Sequence, residues 1–366
     1  MQMRLRIRTV SSLLAMLALL GSVGLRSTFS QGNLLYNLVP LSTVTGEQIS
    51  LARDINVLGQ VAGRSGHLTG SNTRALLWSL VGKVNIGTLP DGDYSAAFGV
   101  NNLGQVVGTS NTADVTRAFL WTSATGLRDL GTLPKDNSSE AFAINNQGKV
   151  VGTSSGSKGT KAVLWMADGR IKNLGSLTGG SCSRAFAIND SGQAVGTSCS
   201  PTGNHAVLWE ANGNIRDLGT LPGDTSSEAL DINNLGQVVG YSVGPNGARA
   251  FVWTSSGQMQ ALTSLAAGRE SRAFGINNLG VIVGTSGSPT GPRAALWLSN
   301  SLITDLNTLI PGISPDLVMV EAHCINDAGL IGAVSGGGIH APVSPGDDHG
   351  DEAEHFYRAF LLTPIQ

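Results

Sequence analysis

Hydrophobic residues occur along most of this chain in short runs, each ended by Gly, Asn or Ser. Between Glu140 and Leu177 four such runs follow one another: AFAINN, KVVGTS, KAVLW and IKNLGSL. Short runs that are rich in β-branched residues and broken by turn-forming residues predict strands rather than helices. The Asn-Asn-Gln-Gly step between the first two runs predicts a hairpin turn, because Asn tolerates turn conformations and Gly adopts positive φ freely. We therefore predict an all-β chain.

This four-strand pattern is repeated seven times. A hydrophobe-Asn-x-x-Gly signature recurs every 44 or 45 residues, with a last step of 49, at Asn56, Asn101, Asn145, Asn189, Asn233, Asn277 and Asn326. A second signature, a basic residue, Ala and two apolar residues followed by Trp, contains all six tryptophans and lacks Trp only in its last copy, from Arg358. Four strands about every 44 residues is the spacing of a β-propeller blade. We predict a seven-bladed β-propeller with four strands per blade.

The two ends of the repeat region indicate how the ring closes. The segment from Leu35 to Leu41 matches the fourth strand of a repeat, whereas the last repeat stops just after Leu362, at a third strand. We expect the N-terminal strand to complete the last blade. An open solenoid is the alternative, but it would not require the missing strand to be present at the other terminus.

The repeats resemble the HAF repeats of extracellular bacterial proteins. The resemblance lies in RAFLW (Arg117 to Trp121), DLGTLP (Asp129 to Pro134) and AFAINNQGKVVG (Ala141 to Gly152), and it extends from about Leu35 to Leu362. It implies a repeat architecture and export from the cell, and it implies no reaction. WD-type propellers match less well, because no Trp in this chain is followed by Asp.

Residues 1–30 have the features of a secretory signal peptide. Arg4, Arg6 and Arg8 precede an apolar run, and Thr28 and Ser30 are small residues at suitable cleavage positions. A retained membrane helix is the alternative, but the run is shorter than the ~20 apolar residues that a span needs. We predict residues 31–366 as a single propeller domain, secreted or periplasmic, with no membrane span in the mature chain.

Charge and cysteine content agree with an exported protein. The net charge of −2 includes four Arg in the leader, so the mature chain is more acidic and has no basic stripe for nucleic acid. Cys182 and Cys199 flank one hairpin turn at equal distances, which predicts a disulfide in an oxidising compartment, with two free thiols as the alternative. Cys324 reads as a buried, inert thiol.

Charged residues alternate in sign just before the first-strand Ala of repeats three to seven: Glu140, Arg184, Glu228, Arg272 and Glu321. Neighbouring blades should therefore place opposite charges side by side near one rim of the channel. This series is either an inter-blade ring of ion pairs, each weak if exposed, or the lining of a polar binding site. We favour the structural interpretation.

Length variation is concentrated on one face of the predicted propeller, in the seventh repeat. One insertion runs from Ile310 to Val320, and a longer loop occupies residues 335–357. Loops that vary on a regular scaffold commonly carry function. The candidate ligand-binding residues in the longer loop are His340, Asp347, Asp348, His349, Asp351, Glu352 and His355. Their spacing fits no known metal motif, and a solvated acidic loop is the alternative, so we predict no metal or other cofactor.

The chain contains no catalytic motif, since it has no nucleophile elbow, phosphate-binding loop or zinc-ligand spacing. We expect a non-enzymatic binding scaffold that meets an extracellular glycan, polymer or protein through its loop-rich face. The alternatives are an extracellular carbohydrate hydrolase and a purely structural envelope protein. A catalytic propeller should break its repeat with acids or histidines in the channel, and this chain is expected to break its repeat mainly in the seventh-repeat loops.

Overall fold

The computed structural model describes residues 34–67, 72–336 and 357–365. The described chain begins with strand β1 (Tyr36–Pro40) and then forms strands grouped in fours along the sequence. Blade 1 contains β2 (Ile49–Ile55), β3 (Val61–Gly66), β4 (Arg74–Ser79) and β5 (Gly82–Gly87). Blade 2 contains β6 (Ser95–Val100), β7 (Val106–Asn111), β8 (Thr116–Thr122) and β9 (Gly126–Asp129). Blade 3 contains β10 (Asp136–Ile144), β11 (Val150–Gly156), β12 (Gly159–Trp165) and β13 (Ile171–Asn173).

The following blades repeat this order. Blade 4 contains β14 (Ser183–Ile188), β15 (Ala194–Ser200), β16 (Gly203–Trp209) and β17 (Ile215–Gly219). Blade 5 contains β18 (Ser226–Ile232), β19 (Val238–Gly244), β20 (Gly247–Trp253) and β21 (Met259–Ala261). Blade 6 contains β22 (Ser271–Ile276), β23 (Ile282–Ser288), β24 (Gly291–Ser299) and β25 (Leu302–Asp305). After a 3-10 helix (Leu306–Leu309), blade 7 contains β26 (Met319–Ile325), β27 (Ile331–Ser335) and β28 (Arg358–Pro364).

The N-terminal strand closes the ring, as predicted. β1 pairs antiparallel with β28, with Tyr36 opposite Pro364 and Pro40 opposite Phe360, and so becomes the fourth strand of blade 7. All seven sheets are four-stranded and antiparallel. The prediction of an all-β, seven-bladed β-propeller is therefore confirmed, although several fourth strands, such as β13, are shorter than their hydrophobic runs suggested.

The hydrophobic core lies between blades rather than within one of them. One buried cluster joins Val239, Ala250 and Val252 of blade 5 to Ile282 and Trp297 of blade 6, and other clusters do the same elsewhere in the ring. No blade can bury its faces alone, because each sheet has an apolar surface on both sides. The ring therefore supplies the packing that a single repeat lacks.

Buried serines add polar links between blades. The amide of a third-strand Ala donates to the hydroxyl of a Ser that opens the first strand of the next blade, as from Ala162 to Ser183 at 3.0 Å and from Ala206 to Ser227 at 2.8 Å. Ala359 makes the same bond to Ser50 across the closure, at 2.9 Å. These contacts satisfy buried amides that would otherwise be costly.

The predicted disulfide is present. Cys182 and Cys199 are bonded, with their Cα atoms 5.3 Å apart, at the open end of the β14–β15 hairpin. Cys324 is a buried free thiol, and burial raises its pKa. Within the described residues, no helix is long and apolar enough to span a membrane.

Candidate functional site

The innermost strand of every blade contains a β-bulge at the same repeat position. In blade 3 the register shifts between Ala141 and Ala143, and equivalent shifts occur in the other six blades. A bulge re-aims a side chain that would otherwise lie between neighbouring sheets. Gly152 permits the close approach of this strand, because a Cβ there would lie 1.9 Å from the carbonyl oxygen of Glu140. The side chains at the bulge are Arg53, Phe98, Phe142, Phe186, Leu230, Phe274 and His323, which we term the bulge residues.

The bulge residues line a central cavity of about 300 Å³. Its lining continues from the bulge residues to the hairpin turns between first and second strands, at Asn102, Asp190 and Asp327. The cavity therefore faces the side of the ring that carries these turns, the turn face. The opposite side, which carries the connections between blades, is the loop face.

Aromatic rings form half of the cavity wall. The rings of Phe98 and Phe142, and of Phe142 and Phe186, have centroids 5.6 Å apart. These three side chains are buried and pack on one another. The ring of Phe274 stacks on that of His323, with centroids 5.1 Å apart. This stacked pair places a fourth phenyl ring, from blade 6, against the polar part of the wall.

The polar half centres on a histidine–carboxylate pair. His323 Nε2 lies 2.9 Å from Glu321 Oε2, and both side chains are mostly buried. Burial opposes ionisation of Glu321, but the hydrogen bond from His323 and the nearby charges of His323, Arg53 and Arg272 outweigh it. They hold the pKa of the Glu321 carboxyl below its usual range. Glu321 is therefore a fixed anion among cations.

This pair extends into neighbouring blades. The guanidinium carbon of Arg272 lies 4.8 Å from the ring centroid of Tyr241, a cation–π distance. The Tyr241 hydroxyl donates to Glu228 Oε2 at 2.9 Å. We term the set Arg53, Glu228, Tyr241, Arg272, Glu321 and His323 the polar cluster. It spans blades 5, 6, 7 and 1.

Two aspartates with partly buried side chains, each one residue after a bulge residue, complete the wall. Asp54 accepts from the amides of Ile55 at 2.7 Å and of Val100 in the next blade at 2.8 Å. Asp231 does the same with Ile232 and Ile276, both at 2.8 Å. Burial is the main cause that raises the pKa of both carboxyls, and it outweighs the two amide bonds that each receives. With a contribution from the charge of Asp54, the pKa of Asp231 rises to about 7.

The turn asparagines form a closed ring of hydrogen bonds around the axis. Each Nδ2 donates to the backbone oxygen of the equivalent Asn in the next blade, at 2.9–3.1 Å, and the last bond runs from Asn326 to Asn56. Each Oδ1 also accepts from its own turn, as Asn145 does from Gln147 and Lys149. The signature Asn is therefore a structural residue.

The rim charges take part in this site in different ways. Arg272, Glu228 and Glu321 belong to the polar cluster, and the charge of Arg272 acts on Glu321 across the blade boundary. Glu140 and Arg184 are partly buried at the equivalent positions in blades 3 and 4. Whether the series is structural or binds a ligand stays a prediction.

The other predicted site residues lie outside the described residues. These are His340, Asp347, Asp348, His349, Asp351, Glu352 and His355. The ends of their loop, Ser335 and Arg358, pair with each other at the loop face. Within the described ranges, no group of three or more His, Cys, Asp or Glu side chains is arranged to hold a metal ion.

One sequence expectation was wrong. The repeat is broken in the channel as well as in the seventh-repeat loops, because His323 and Arg53 replace the Phe found at the bulge in four blades. Asp54 and Asp231 likewise replace Gly, Ala or Cys. Aligning the seven repeats column by column would have identified all four residues, although not that they face one cavity.

Known structures share the fold at low sequence identity. No protein-family model matches the chain, and no curated protein matches it. A catalytically inactive variant of virginiamycin B lyase from Staphylococcus aureus, solved with quinupristin, is 13% identical, with a TM-score of 0.56 over 90% of this chain and 100% of that one. The β-propeller domain of the trilobed protease from Pyrococcus furiosus is 8% identical, with a TM-score of 0.52 over 87% and 94%. At these identities the likeness shows the fold alone.

Proposed function

We propose that this protein is an exported, non-enzymatic binding scaffold that meets an extracellular glycan, polymer or protein at its loop face. The HAF-like repeats and the signal-like leader support export. The Cys182–Cys199 disulfide is compatible with a secreted or periplasmic location. Blade 7 is the proposed contact region.

The observation that carries the proposal is an anchored insertion on the loop face of blade 7, between the 3-10 helix and β26. The side chain of Asn307 anchors that insertion, because it donates to the Met319 carbonyl at 2.9 Å and accepts from the Met319 amide at 2.8 Å. Leu309 and Ile310 are buried, whereas Pro311, Gly312 and residues 314–316 are exposed. A held loop with an exposed tip suits recognition, since little ordering entropy is lost on binding.

A glycan array probed with the protein from residue 31 onward tests this proposal. We expect specific glycans to bind, and binding to fall at least tenfold when residues 312–316 are removed. Leu103→Gln is the matched control, because it copies the blade 3 turn residue into an exposed position on the turn face.

The outcomes separate the possible partners. Binding that survives removal of residues 312–316 would reject blade 7 as the contact region. If the wild-type protein binds no glycan on the array, the glycan form of the proposal is rejected, and a protein or other polymer becomes the partner to test.

A second candidate, an extracellular carbohydrate hydrolase, is favoured by the acids and the histidine that break the repeat in the channel, Asp54, Asp231 and His323. The carboxyl of Asp231 in the channel wall and that of Glu321 just behind it have pKa values that move in opposite directions, to about 7 for Asp231 and downward for Glu321. Such divergence is how enzymes assign acid and base roles. Release of new reducing ends from extracellular polysaccharides by the wild-type protein, lost in Asp231→Ala, would support hydrolysis. Absence of release from all tested polymers would count against it.

A further inference from the structure

At pH 8, above the pKa of about 7 of Asp231, the central cavity has an excess of negative charge. Its lining includes Asp54, Asp190, Asp231 and Asp327, against a single Arg, Arg53, and one His. The positive charge of Arg53 is partly offset by the carboxylate of Glu321, which lies behind the cavity wall. A cavity lined mainly by one sign of charge and walled by protein concentrates ions of the opposite sign. Anionic ligands are therefore disfavoured in this cavity and cationic ones are attracted.

The aromatic part of the wall independently points to the same class of ligand. Phe98, Phe142, Phe186 and Phe274 all line the cavity. The face of an aromatic ring is the negative part of its quadrupole, and desolvated rings bind alkylammonium groups better than hydrated metal ions. The preferred cation is thus organic.

The two inner carboxylates are held ready for such a cation. Each oxygen of Asp54 and Asp231 accepts one backbone amide, and in each carboxylate the two amides belong to adjacent blades. These bonds fix the carboxylates and leave a second lone pair on every oxygen. Asp54 and Asp231 come from blades 1 and 5, so they reach the cavity from different sides of the ring. The volume of about 300 Å³ lies at the lower end of the range for small-molecule sites.

We propose that the central cavity binds an organic ammonium group, which enters from the turn face and lies against the phenyl rings with its charge shared by Asp54 and Asp231. The ligand class is an alkylated amine or quaternary ammonium compound of small size. This site is separate from the loop-face contact proposed above, so either proposal can fail without the other.

The decisive comparison uses the wild-type protein and two probes of the same shape. Choline and 3,3-dimethylbutan-1-ol differ in that a carbon replaces the charged nitrogen. Titration calorimetry at pH 8 and low ionic strength should give choline an affinity at least tenfold higher than that of the alcohol. Salt should weaken choline binding and leave the alcohol unaffected. Equal affinities, or no choline binding up to tens of millimolar, would overturn the proposal.

Two conservative variants locate the site. D54N and D231N keep the side-chain shape, and each should lower choline affinity at least tenfold. D168N changes an exposed carboxylate in blade 3 and should bind as the wild-type protein does. F142L, which keeps an apolar side chain and removes the ring, should weaken choline more than the alcohol. Unchanged choline affinity in folded D54N and D231N would reject the assignment, and if neither variant folds, the two-probe comparison in the wild-type protein still decides.

Discussion

Asp231 and Asp54 show how a single repeat position can acquire a different chemistry. At the same position the other blades carry Gly99, Ala143, Ala187, Gly275 and Cys324. The Asp231 carboxylate accepts hydrogen bonds from two backbone amides, that of Ile232 in the same strand and that of Ile276 in the next blade. These bonds favour the charged form, but burial costs more, and the pKa of Asp231 settles at about 7. The carboxyl thus links two blades and titrates near neutral pH.

The raised pKa of Asp231 predicts a pH-dependent stability. Between pH 3.8, the ordinary pKa, and about 7, the folded state holds a proton that the unfolded state has released. The contribution of this group to the free energy of unfolding is therefore full below that window and falls as pH rises through it. Asp231→Ala copies the residue of blades 3 and 4. In this variant the free energy of unfolding should fall less between pH 5 and pH 8 than in the wild-type protein, by on the order of 2–3 kcal/mol.

Urea unfolding of both proteins at pH 5 and pH 8 measures this difference. Asp168→Ala, at an exposed carboxylate, is the control and should follow the wild-type slope. If the wild-type protein and Asp231→Ala lose the same free energy between the two pH values, Asp231 does not titrate as the structure indicates.

At the scale of single residues, the sequence showed which strand or turn a residue belongs to better than it showed where the side chain points. The turn signature correctly located Asn326 and the other turn asparagines, and with them the first strands that precede them. The alternation of side chains along a regular strand, however, assigns each side chain to one of the two faces of the sheet only. The bulge adds a third direction, toward the axis, and it arises from register with the second strand rather than from any local pattern. The channel lining could not be predicted for that reason.

At the scale of elements, closure depends on a strand distant in sequence from its partner. Tyr36 of β1 is buried at 2% exposure, and burial raises its pKa to about 12, so the phenol stays neutral. The backbone amide of Leu41, just after β1, donates to the carbonyl oxygen of Ala359 at 2.9 Å. The hydrophobic match between Leu35–Leu41 and a fourth strand was enough to predict this pairing. The serine links from one blade to the next were not predicted, although Ser recurs with the repeat period at Ser50, Ser95, Ser139, Ser183, Ser227 and Ser271, because spacing alone does not show that the hydroxyl faces the preceding blade.

Removal of β1 should therefore open the ring. A chain that begins at residue 41, compared with one that begins at residue 31, should lose several kcal/mol of stability, since it exposes an aromatic side chain and unpairs β28. A synthetic peptide of residues 34–40 should restore the melting temperature in a concentration-dependent manner. A peptide of the same composition in scrambled order is the control. Equal melting temperatures for the two chains would contradict the role of β1 in closure.

At the scale of the whole molecule, two concentric sets of hydrogen bonds run around the axis, and only the first is complete. In the second, the residue after each turn Asn accepts through its Oδ1 from the equivalent amide of the preceding blade. These bonds measure 2.8–3.1 Å and join blades 1 to 7 in six steps. The seventh step, from Asp327 to blade 1, meets Val57, whose side chain has no acceptor.

Val57→Asn should supply that acceptor and complete the second ring. The backbone at residue 57 occupies the same repeat position as Asn102, and the Val57 side chain is half exposed at 48%, so the change should introduce no strain or cavity. An added hydrogen bond of this kind contributes about 1 kcal/mol. Urea unfolding should show a higher midpoint for Val57→Asn than for the wild-type protein. Val57→Ala is the control for loss of the apolar side chain, and its midpoint should not rise.

Because the added bond joins the last blade to the first, its effect should require a closed ring and disappear in the chain that begins at residue 41. A midpoint for Val57→Asn no higher than that of Val57→Ala would show that the repeat geometry is not continued across the closure.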